Sequence, residues 1–304
     1  MIQNLVVLGT GLIGSSIAKA AKQANFCNRV WAVNRSAATA AQAASLDIAD
    51  HSKTYHELGE IISQLTAGDI VLVAVPMGVY QSVFAQLAPM LPERVIVTDV
   101  GSSKATIVEA AEKVWGSIPD FFVPGHPIAG SEKAGVTAVD PDLYINRRCI
   151  LTPVDQTDAS AVQSVRALWE SVGATVDTME VAHHDEVLAA TSHLPHVLAY
   201  SLVDALFTLD QKSEVFRYAA GGFKDFTRIA ESDPTMWRDI FVANRDAILA
   251  QLDNFELHLA ALRDAIESTD QQKIMHILER SQSARKMFSD TYALIKSETK
   301  TSSS

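Results

Sequence analysis

Apolar residues in the first half of the chain come in short, almost uninterrupted runs. Such runs are typical of strands that are covered on both faces, as in a parallel sheet between two layers of helices. Helical spacing separates several of them, at residues 15–24, 79–91 and 104–114. This alternation predicts an α/β fold with a doubly wound, mostly parallel Rossmann-type sheet, which binds ligands at the carboxyl ends of its strands. The predicted strands are residues 5–8, 29–33, 69–75, 95–99, 149–152 and 174–179.

The pattern changes near residue 178, where strand-like runs and glycines become rare and helical spacing takes over. Residues 183–206 form a long apolar-periodic stretch, and Pro195 within it is expected to kink the helix because proline has no N–H to donate. From Ile248 to Ile266 the apolar spacing alternates between four and three residues, as in a heptad seam. The seam fits either packing within a helical domain or a dimer interface. We therefore predict two domains, residues 1–178 and an all-helical domain at 179–304.

A glycine motif follows the first predicted strand. Gly9, Gly11 and Gly14 form the pattern GxGxxG where the strand ends and an alanine-rich helix begins. In dinucleotide-binding folds these glycines make a tight turn, let the backbone approach a pyrophosphate and let the helix lie close to the sheet. The helix N-terminus then offers free N–H groups and a positive dipole end to the phosphates. The motif in this setting predicts a dinucleotide site, and a glycine-rich turn without a ligand is the alternative.

The end of the second predicted strand is where such folds read the adenosine ribose. NAD sites usually place a carboxylate here, which accepts a hydrogen bond from the 2′-OH. This chain has Asn34, followed by Arg35, which would attract a 2′-phosphate, and Ser36, which could donate a hydrogen bond to it. The sequence therefore favours NADP, with NAD as the alternative. The residues predicted to bind the cofactor are Gly9, Gly11, Leu12, Ile13, Gly14, Asn34, Arg35, Ser36, Val75 and Pro76.

Composition narrows the class of protein. The chain has 304 residues and a formal net charge of −11, which argues against nucleic-acid and membrane-surface partners because these demand basic patches. No apolar run is long enough to span a membrane, and the chain enters a strand at once, so we expect neither an anchor nor a signal peptide. The two cysteines, Cys27 and Cys149, fit a reducing cytosol better than a disulfide scaffold. We expect a cytoplasmic protein.

Polar residues cluster where predicted strands end. Residues 99–104, Asp-Val-Gly-Ser-Ser-Lys, lead from a strand into a helix, and the glycine-rich stretch 125–135 contains His126. A glycine-rich loop is a poor place to bury a structural histidine, so His126 is a candidate for chemistry. In the helical half, His193 and His196 lie three residues apart and can face one side of a helix. No metal site is expected there, because the acidic or cysteine ligands that would complete it are not nearby.

Six segments, in this order and spacing, resemble the prephenate dehydrogenases, also called arogenate or cyclohexadienyl dehydrogenases. The segments are GTGLIGSS, DVGSSK, GHPIAGSEKAG, SHLPH, GGFKDFTRIA and DPTMWRDI. The resemblance extends from residue 4 to about residue 295 and departs from the common NAD-preferring pattern at Asn34. It implies the oxidative decarboxylation of prephenate, or of arogenate, with hydride transfer to NAD(P), in tyrosine synthesis. The product would be 4-hydroxyphenylpyruvate or tyrosine, respectively.

The resemblance also implies roles for individual residues. His126 matches the catalytic histidine, and Ser102 matches a serine that orients it and contacts the nicotinamide. His196 matches a histidine that contacts the substrate side chain, and Arg228 matches an arginine that binds a substrate carboxylate, for which its guanidinium fork is suited. The other residues expected at the substrate site are Ser192 and His193 beside His196, Glu132 in the loop after His126, Asp225 as an orienting group, and Trp237, which would close the pocket. For Asp225 and Trp237 a purely structural role is the alternative.

Two other functions stay open on the sequence. A dehydrogenase of the β-hydroxyacid type would share the sheet-plus-helices architecture, but it would use a lysine on the first long helix of its second domain. This chain has no lysine between Val181 and Gln211. A non-catalytic cofactor-sensing protein would keep the glycine turn but would not need His126, His196 and Arg228 together. We expect prephenate as the first substrate and a homodimer formed through the helical domain.

Overall fold

The computed structural model of the chain describes residues 2–131, 133–209, 214 and 217–301, with side chains as far as residue 291. The chain divides into two compact units, Met1–Ile248 and Leu249–Ser304, and each is described by itself. The predicted domain boundary at residue 178 stays a prediction.

The first unit is built on a parallel sheet of six strands. The strands are β1 (Ile2–Leu8), β2 (Cys27–Asn34), β3 (His51–Thr54), β4 (Ile70–Val73), β5 (Ile96–Asp99) and β6 (Phe122–Val123). Their order is β3-β2-β1-β4-β5-β6, and all neighbouring pairs are parallel. The chain therefore winds outward from the centre first in one direction and then in the other, which creates a switch point between β1 and β4. The predicted Rossmann-type sheet is confirmed.

Helices cover both faces of this sheet. They are α1 (Leu12–Gln23), α2 (Ala37–Ser45), α3 (Leu58–Ile62), α4 (Tyr80–Leu87) and α5 (Ala105–Trp115). Successive side chains of a strand point to opposite faces, and in β1 Leu5 and Val7 enter one core layer while Val6 and Leu8 enter the other. All four are fully buried, which explains why the run in the sequence is apolar without alternation.

A second, small sheet was not separated from the first by the sequence analysis. It contains β7 (Gly125–Pro127), β8 (Arg148–Leu151) and β9 (Thr175–Thr178), with β7 antiparallel to β8 and β8 parallel to β9. The helix α6 (Ala159–Ser171) connects β8 to β9. His126 lies in β7, opposite Ile150, and is only 9% exposed. The expectation that this stretch is a loop unsuited to burying a histidine was therefore wrong, because pairing with β8 makes it a strand.

Helices follow the small sheet. They are α7 (Val181–Leu188), α8 (Leu194–Phe207), α9 (Gly221–Thr227), α10 (Pro234–Ala243) and α11 (Arg245–Glu267), which begins in the first unit and continues into the second. A π-helical turn, Ala189–His193, separates α7 from α8, and a 3₁₀ turn, Arg228–Glu231, follows α9. Pro195 sits in the first turn of α8, directly after this π-helical turn. The regular α-helical pattern therefore changes next to Pro195, and the kink itself stays a prediction.

The second unit consists of the rest of α11 and of α12 (Gln271–Thr301). Between them the Asp270 N–H donates to the Ala265 carbonyl at 2.9 Å, and the Asp270 carboxylate accepts from the Lys273 N–H at 2.9 Å, which caps α12. Two residues of the heptad seam, Leu259 and Ile266, are 52% and 59% exposed in the single chain. Their exposure favours the dimer interface over packing within one chain as the explanation of the seam.

Replacing Gly14 with alanine should destabilise the fold. A Cβ at this position would lie 1.9 Å from the Gly9 carbonyl oxygen and 2.9 Å from the Ala74 Cβ, so the helix would have to move off the sheet. Overpacking of this kind lowers the free energy of unfolding by about 1–3 kcal/mol or more. Gly11→Ala is the matched control, because no atom lies within 4 Å of its Cβ position and its φ of −69° suits alanine. Urea unfolding without nucleotide should show a loss for Gly14→Ala alone, and equal stability of the two variants would contradict this packing.

Candidate active site

The glycine turn forms an open cradle at the carboxyl end of β1. Gly9 has a φ of +95°, donates its N–H to the Val33 carbonyl at 2.9 Å and packs so closely that a Cβ would lie 2.4 Å from the Ala74 carbonyl oxygen. Gly11 is the N-cap of α1 and supplies no side-chain cap, so the first N–H groups of the helix, beginning with Leu12 and Ile13, are available to a ligand. With open space at Gly11, these features fit a pyrophosphate. Val75 and Pro76 follow β4; Val75 is half-buried and Pro76 is exposed.

The residues at the end of β2 divide into a buried and an exposed group. Asn34 is 1% exposed, and its side chain is hydrogen-bonded to the Thr10 hydroxyl and to the Lys53 carbonyl. Arg35 and Ser36 are exposed, and the Ser36 hydroxyl accepts from the Thr39 N–H at 3.1 Å as the N-cap of α2. The end of β2 therefore offers a cation and a hydroxyl, with no carboxylate among these three positions.

His126 is joined to a second histidine and a carboxylate. Its Nδ1 lies 2.9 Å from His184 Nε2, and His184 Nδ1 lies 2.8 Å from an oxygen of Asp185. All three side chains are buried. Burial lowers the pKa of His126 well below 6.5, and the nearby His184 and Lys104 lower it further. A neutral imidazole in this position can accept a proton at neutral pH.

Asp185 is held by the turn between β5 and α5. Its carboxylate accepts from the backbone N–H groups of Lys104 at 2.8 Å and Ala105 at 2.9 Å, and from the Ser103 hydroxyl at 3.0 Å. Burial alone would raise the pKa of Asp185, but the hydrogen bonds from His184 and from the two backbone N–H groups outweigh burial and hold this pKa below its usual range. The carboxylate is therefore ionised and fixes α7 against the start of α5.

A buried ion pair holds the other side of the same turn. The Lys104 ammonium, fully buried, contacts the Asp99 carboxylate and donates to the Gly125 carbonyl at 2.6 Å. Burial lowers the pKa of Lys104, and Asp99 opposes that shift. Asp99 also accepts from the N–H groups of Gly101 at 2.7 Å and Gly125 at 3.1 Å. Because Gly125 precedes His126, these contacts fix the position of the histidine on β7.

A second cluster lies around Trp237. The His196 ring stacks on it, with ring centroids 3.5 Å apart, and the His193 ring meets it edge-on at 6.1 Å. His196 Nδ1 lies 2.8 Å from the Ser192 carbonyl, which can only accept, and Asn244 Nδ2 lies 3.0 Å from His193 Nδ1. Burial lowers the pKa of His193 to about 4 and also lowers that of His196, to which Arg228 adds. Both rings are therefore neutral near pH 7.

Asn244 links the two clusters. Its Nδ2 donates to the Asp185 carbonyl at 2.9 Å and lies 3.0 Å from His193 Nδ1. Residues expected from the sequence are thus brought together from the small sheet and the helices. Within the described part of the chain, no group of three or more potential metal ligands is found.

Other expected residues have a less defined place. Ser102 is half-buried in the turn between β5 and α5, and its role stays a prediction. Asp225 and Arg228 are both exposed, and the orienting role of Asp225 also stays a prediction. Glu132 lies outside the described residues.

Five residues of the site were given no role by the sequence analysis: Asp99, Lys104, His184, Asp185 and Asn244. Asp99 and Lys104 are the first and last residues of the segment DVGSSK. Their position at a strand end is a signal in the sequence that they belong to the site. His184 and Asp185 lie in the run His-His-Asp-Glu at the start of the helical half. No spacing rule connects this run to His126, because the contact depends on how α7 packs against α5.

Comparison with known proteins identifies the family. Residues 17–178 match the sequence model described as prephenate dehydrogenase, nucleotide-binding domain, and residues 180–280 match prephenate dehydrogenase, dimerization domain. The chain belongs to the prephenate dehydrogenase family. Membership makes it a nicotinamide-dependent dehydrogenase, and the second match supports the predicted homodimer.

Individual relatives agree with this assignment. Cyclohexadienyl dehydrogenase of Zymomonas mobilis is 36% identical over 94% of this chain and 96% of its own length, and prephenate dehydrogenase of Bacillus subtilis is 34% identical over 94% and 76%. The crystal structure of prephenate dehydrogenase from Aquifex aeolicus in complex with hydroxyphenyl propionate and NAD⁺ is 33% identical, with a TM-score of 0.87 over 95% of this chain and 99% of that one. Arogenate dehydrogenase of Synechocystis is 25% identical, with a TM-score of 0.78 over 94% and 100%. The resemblance inferred from the sequence is confirmed. Within the described residues, no helix is both long and apolar enough to cross a membrane.

Replacing Lys104 with methionine should strongly destabilise the protein, because it leaves the Asp99 carboxylate buried without its cation. Breaking a buried pair in this way costs about 3–5 kcal/mol of unfolding free energy. Lys113→Met is the matched control on α5, since its pair with Glu109 is 55% and 60% exposed and is worth less than about 1 kcal/mol. Urea unfolding measures both losses. Adding Asp99→Asn should restore part of the stability of Lys104→Met, and a similar small loss at both lysines would contradict the importance of the buried pair.

Proposed function

We propose that the protein catalyses the oxidative decarboxylation of prephenate to 4-hydroxyphenylpyruvate with hydride transfer to NADP, in tyrosine synthesis. Arogenate, which would give tyrosine, is the second candidate substrate. The observation that carries the proposal is the buried, neutral His126, held next to His184 in a chain of the prephenate dehydrogenase family. The relative from Aquifex aeolicus was crystallised with hydroxyphenyl propionate, a phenol with a carboxylate side chain like the proposed product.

The reaction needs a base and creates no net proton. Prephenate has a cyclohexadienol ring with a hydroxyl group, a ring carboxylate and a pyruvyl side chain. The bound nicotinamide supplies the acceptor for the hydride that leaves the carbon bearing the hydroxyl. His126 takes the hydroxyl proton, which favours loss of that hydride. The ring carboxylate leaves as CO₂, its bonding electrons make the ring aromatic, and the resulting phenolate oxygen recovers the proton from His126.

The substrate carries two carboxylates, whereas the protein has a net charge of −11, so recognition requires a local cation. Arg228 is an exposed arginine whose charge reaches His196, and we assign it to a substrate carboxylate. His196, with Ser192 and His193 beside it, would contact the side chain that distinguishes prephenate from arogenate. Trp237, 6% exposed and stacked on His196, would close the pocket on that side.

NADP is favoured over NAD by the residues at the end of β2. The side chain of Asn34 is an uncharged amide, buried and hydrogen-bonded within the protein, so this position has no carboxylate to repel a 2′-phosphate. Arg35 is exposed at the same strand end, next to the hydroxyl of Ser36.

The two cysteines are free, Cys149 in the core and Cys27 half-buried, which supports a cytoplasmic location.

The proposal is tested by following the absorbance of reduced nicotinamide, with prephenate and arogenate each supplied together with NAD or NADP. We expect turnover of prephenate with NADP to have the highest kcat/KM of the four combinations. No turnover in any combination, with cofactor binding intact, would refute the function. Faster turnover of arogenate, or of NAD, would refute the corresponding specificity.

Arg228→Ala links this assay to the site. Loss of a charge-assisted contact costs about 1.5–3 kcal/mol, so the KM for the substrate should rise about 10- to 100-fold while kcat changes little. Arg228→Lys keeps the charge without the guanidinium fork and should fall between the wild type and Arg228→Ala. An unchanged KM in Arg228→Ala would remove this residue from substrate binding.

Arg35→Ala should weaken NADP more than NAD. Loss of one exposed charge-assisted contact should raise the KM for NADP by roughly 10-fold and leave the KM for NAD almost unchanged. Arg29→Ala is the matched control, because this exposed arginine lies near the amino end of the same strand, β2, away from the edge that binds the cofactor. Equal effects of Arg35→Ala on the two cofactors would show that Arg35 does not contact the 2′-phosphate.

A further inference from the structure

The hydrogen bonds between Asp185, His184 and His126 have a fixed direction. The Asp185 carboxylate accepts from His184, from the backbone N–H groups of Lys104 and Ala105, and from the Ser103 hydroxyl. An ionised carboxylate has no proton to donate. His184 Nδ1, 2.8 Å away, must therefore be the donor in its bond to Asp185.

This direction is passed on to His126. His184 is fully buried, and burial lowers its pKa, so the ring is neutral and carries a single proton, which Asp185 retains on Nδ1. His184 Nε2 then has only a lone pair. His126 Nδ1 lies 2.9 Å from it and must donate. The remaining nitrogen of the His126 ring, Nε2, is left with the lone pair that a base requires.

We propose that His184 and Asp185 are positioning residues that fix His126 in its Nδ1–H tautomer, and that His184 receives this proton when His126 acts as the base. The inference rests on the proposed function. In the step, the substrate O–H bond breaks and an Nε2–H bond forms on His126. At the same time the Nδ1–H bond of His126 breaks and an Nε2–H bond forms on His184. Both transfers reverse when the phenolate recovers its proton, so no oxidant or further reactant is needed.

The carboxylates near the two rings favour this transfer. The Lys104 ammonium lowers the pKa of both rings, but Asp185 and Asp99 raise the pKa of His184. A cation on His126 is disfavoured by the Lys104 ammonium, which is bonded to the carbonyl of the preceding residue, Gly125. After transfer, the positive charge is on His184, whose other nitrogen faces the Asp185 carboxylate. Burial lowers the pKa of the neighbouring His193 to about 4, so this ring is neutral and places no charge beside His126. Asp185 is therefore the carboxylate that is hydrogen-bonded directly to the ring that receives the proton.

The line of three residues is also held rigidly. Asp185 is bonded to the start of α5 through two backbone N–H groups, and its own carbonyl accepts from Asn244 Nδ2 at 2.9 Å. Asn244 is the C-cap of α10, so elements distant in the sequence fix Asp185, α5 through its carboxylate and α10 through its backbone carbonyl. A carboxylate held from several directions keeps His184 in one tautomer, and His184 in turn orients His126.

The tautomer can be measured without turnover. In protein labelled with ¹⁵N-histidine, long-range ¹H–¹⁵N spectra distinguish a protonated from an unprotonated ring nitrogen, and the His126 signals among the nine histidines are assigned by their loss in His126→Asn. We expect Nδ1–H and a bare Nε2 for His126 in the wild type. His184→Gln can accept from His126 and donate to Asp185, so it should retain this tautomer. His184→Leu cannot accept, so the His126 tautomers should mix. A proton on Nε2 in the wild type would overturn the inference.

Kinetics separate orientation from proton transfer. General acid–base assistance contributes roughly 10²- to 10⁴-fold, so His184→Leu should lower kcat within this range with little change in KM. His184→Gln keeps the tautomer but cannot take the proton, and its kcat should lie between those of His184→Leu and the wild type. His183→Gln is the matched control, because His183 is the neighbouring histidine on α7 and its side chain is 60% exposed. Its kcat should equal that of the wild type.

The outcomes distinguish this inference from the proposed function. Turnover of prephenate with wild-type kcat in both His184 variants would refute the relay and leave the function intact. Absence of turnover in the wild type would refute the function, while the tautomer of His126 would still report whether His184 and Asp185 orient it. If His184 had only a structural role, both variants would be less stable than the wild type. The His126 tautomer would then be the same in all three proteins, and kcat would not fall in the order wild type, His184→Gln, His184→Leu.

Discussion

Two buried carboxylates hold the turn between β5 and α5, and the arrangement of the active site depends on them. Asp99 holds the turn to β7 through the Lys104 ammonium and the Gly125 N–H. Asp185 holds the start of α5 to α7 through two backbone N–H groups. His126 follows Gly125, and His184 precedes Asp185, so each carboxylate fixes one partner of the histidine pair. Their 2.9 Å contact is a consequence of both attachments.

Burying so many polar groups is costly unless each has a partner. In this site the partners are mostly backbone N–H groups, which cannot change charge or swing away. A carboxylate solvated by fixed N–H dipoles stays ionised even in a dry environment. His126, near the buried ammonium of Lys104, stays neutral because burial and this positive charge both disfavour a second proton on its ring. The same burial that makes the site expensive to fold therefore sets the protonation states that its chemistry needs.

The sequence predicted the features that depend on local pattern. The uninterrupted run at residues 5–8, the glycine turn after it and the strand before Asp99 all follow from short-range rules, and the structure confirms them. The small sheet was not predicted, because β7 is three residues long and becomes a strand only by pairing with β8. The burial of His126 was misjudged for the same reason. A glycine-rich segment has no pattern that reveals a partner strand more than 20 residues away.

Pairing across long sequence distances explains the other omissions. Lys104 has the position of a charged residue at the start of a helix, yet its ammonium is fully buried against the Asp99 carboxylate and the Gly125 carbonyl. His183 and His184 are adjacent residues of the same type, with the same helical propensity. His183 is exposed to solvent, whereas His184 is fully buried. The difference arises only from the face that α7 presents to α5. The sequence therefore shows which residues could take part in catalysis, but their roles depend on which backbone groups the fold places in contact with them.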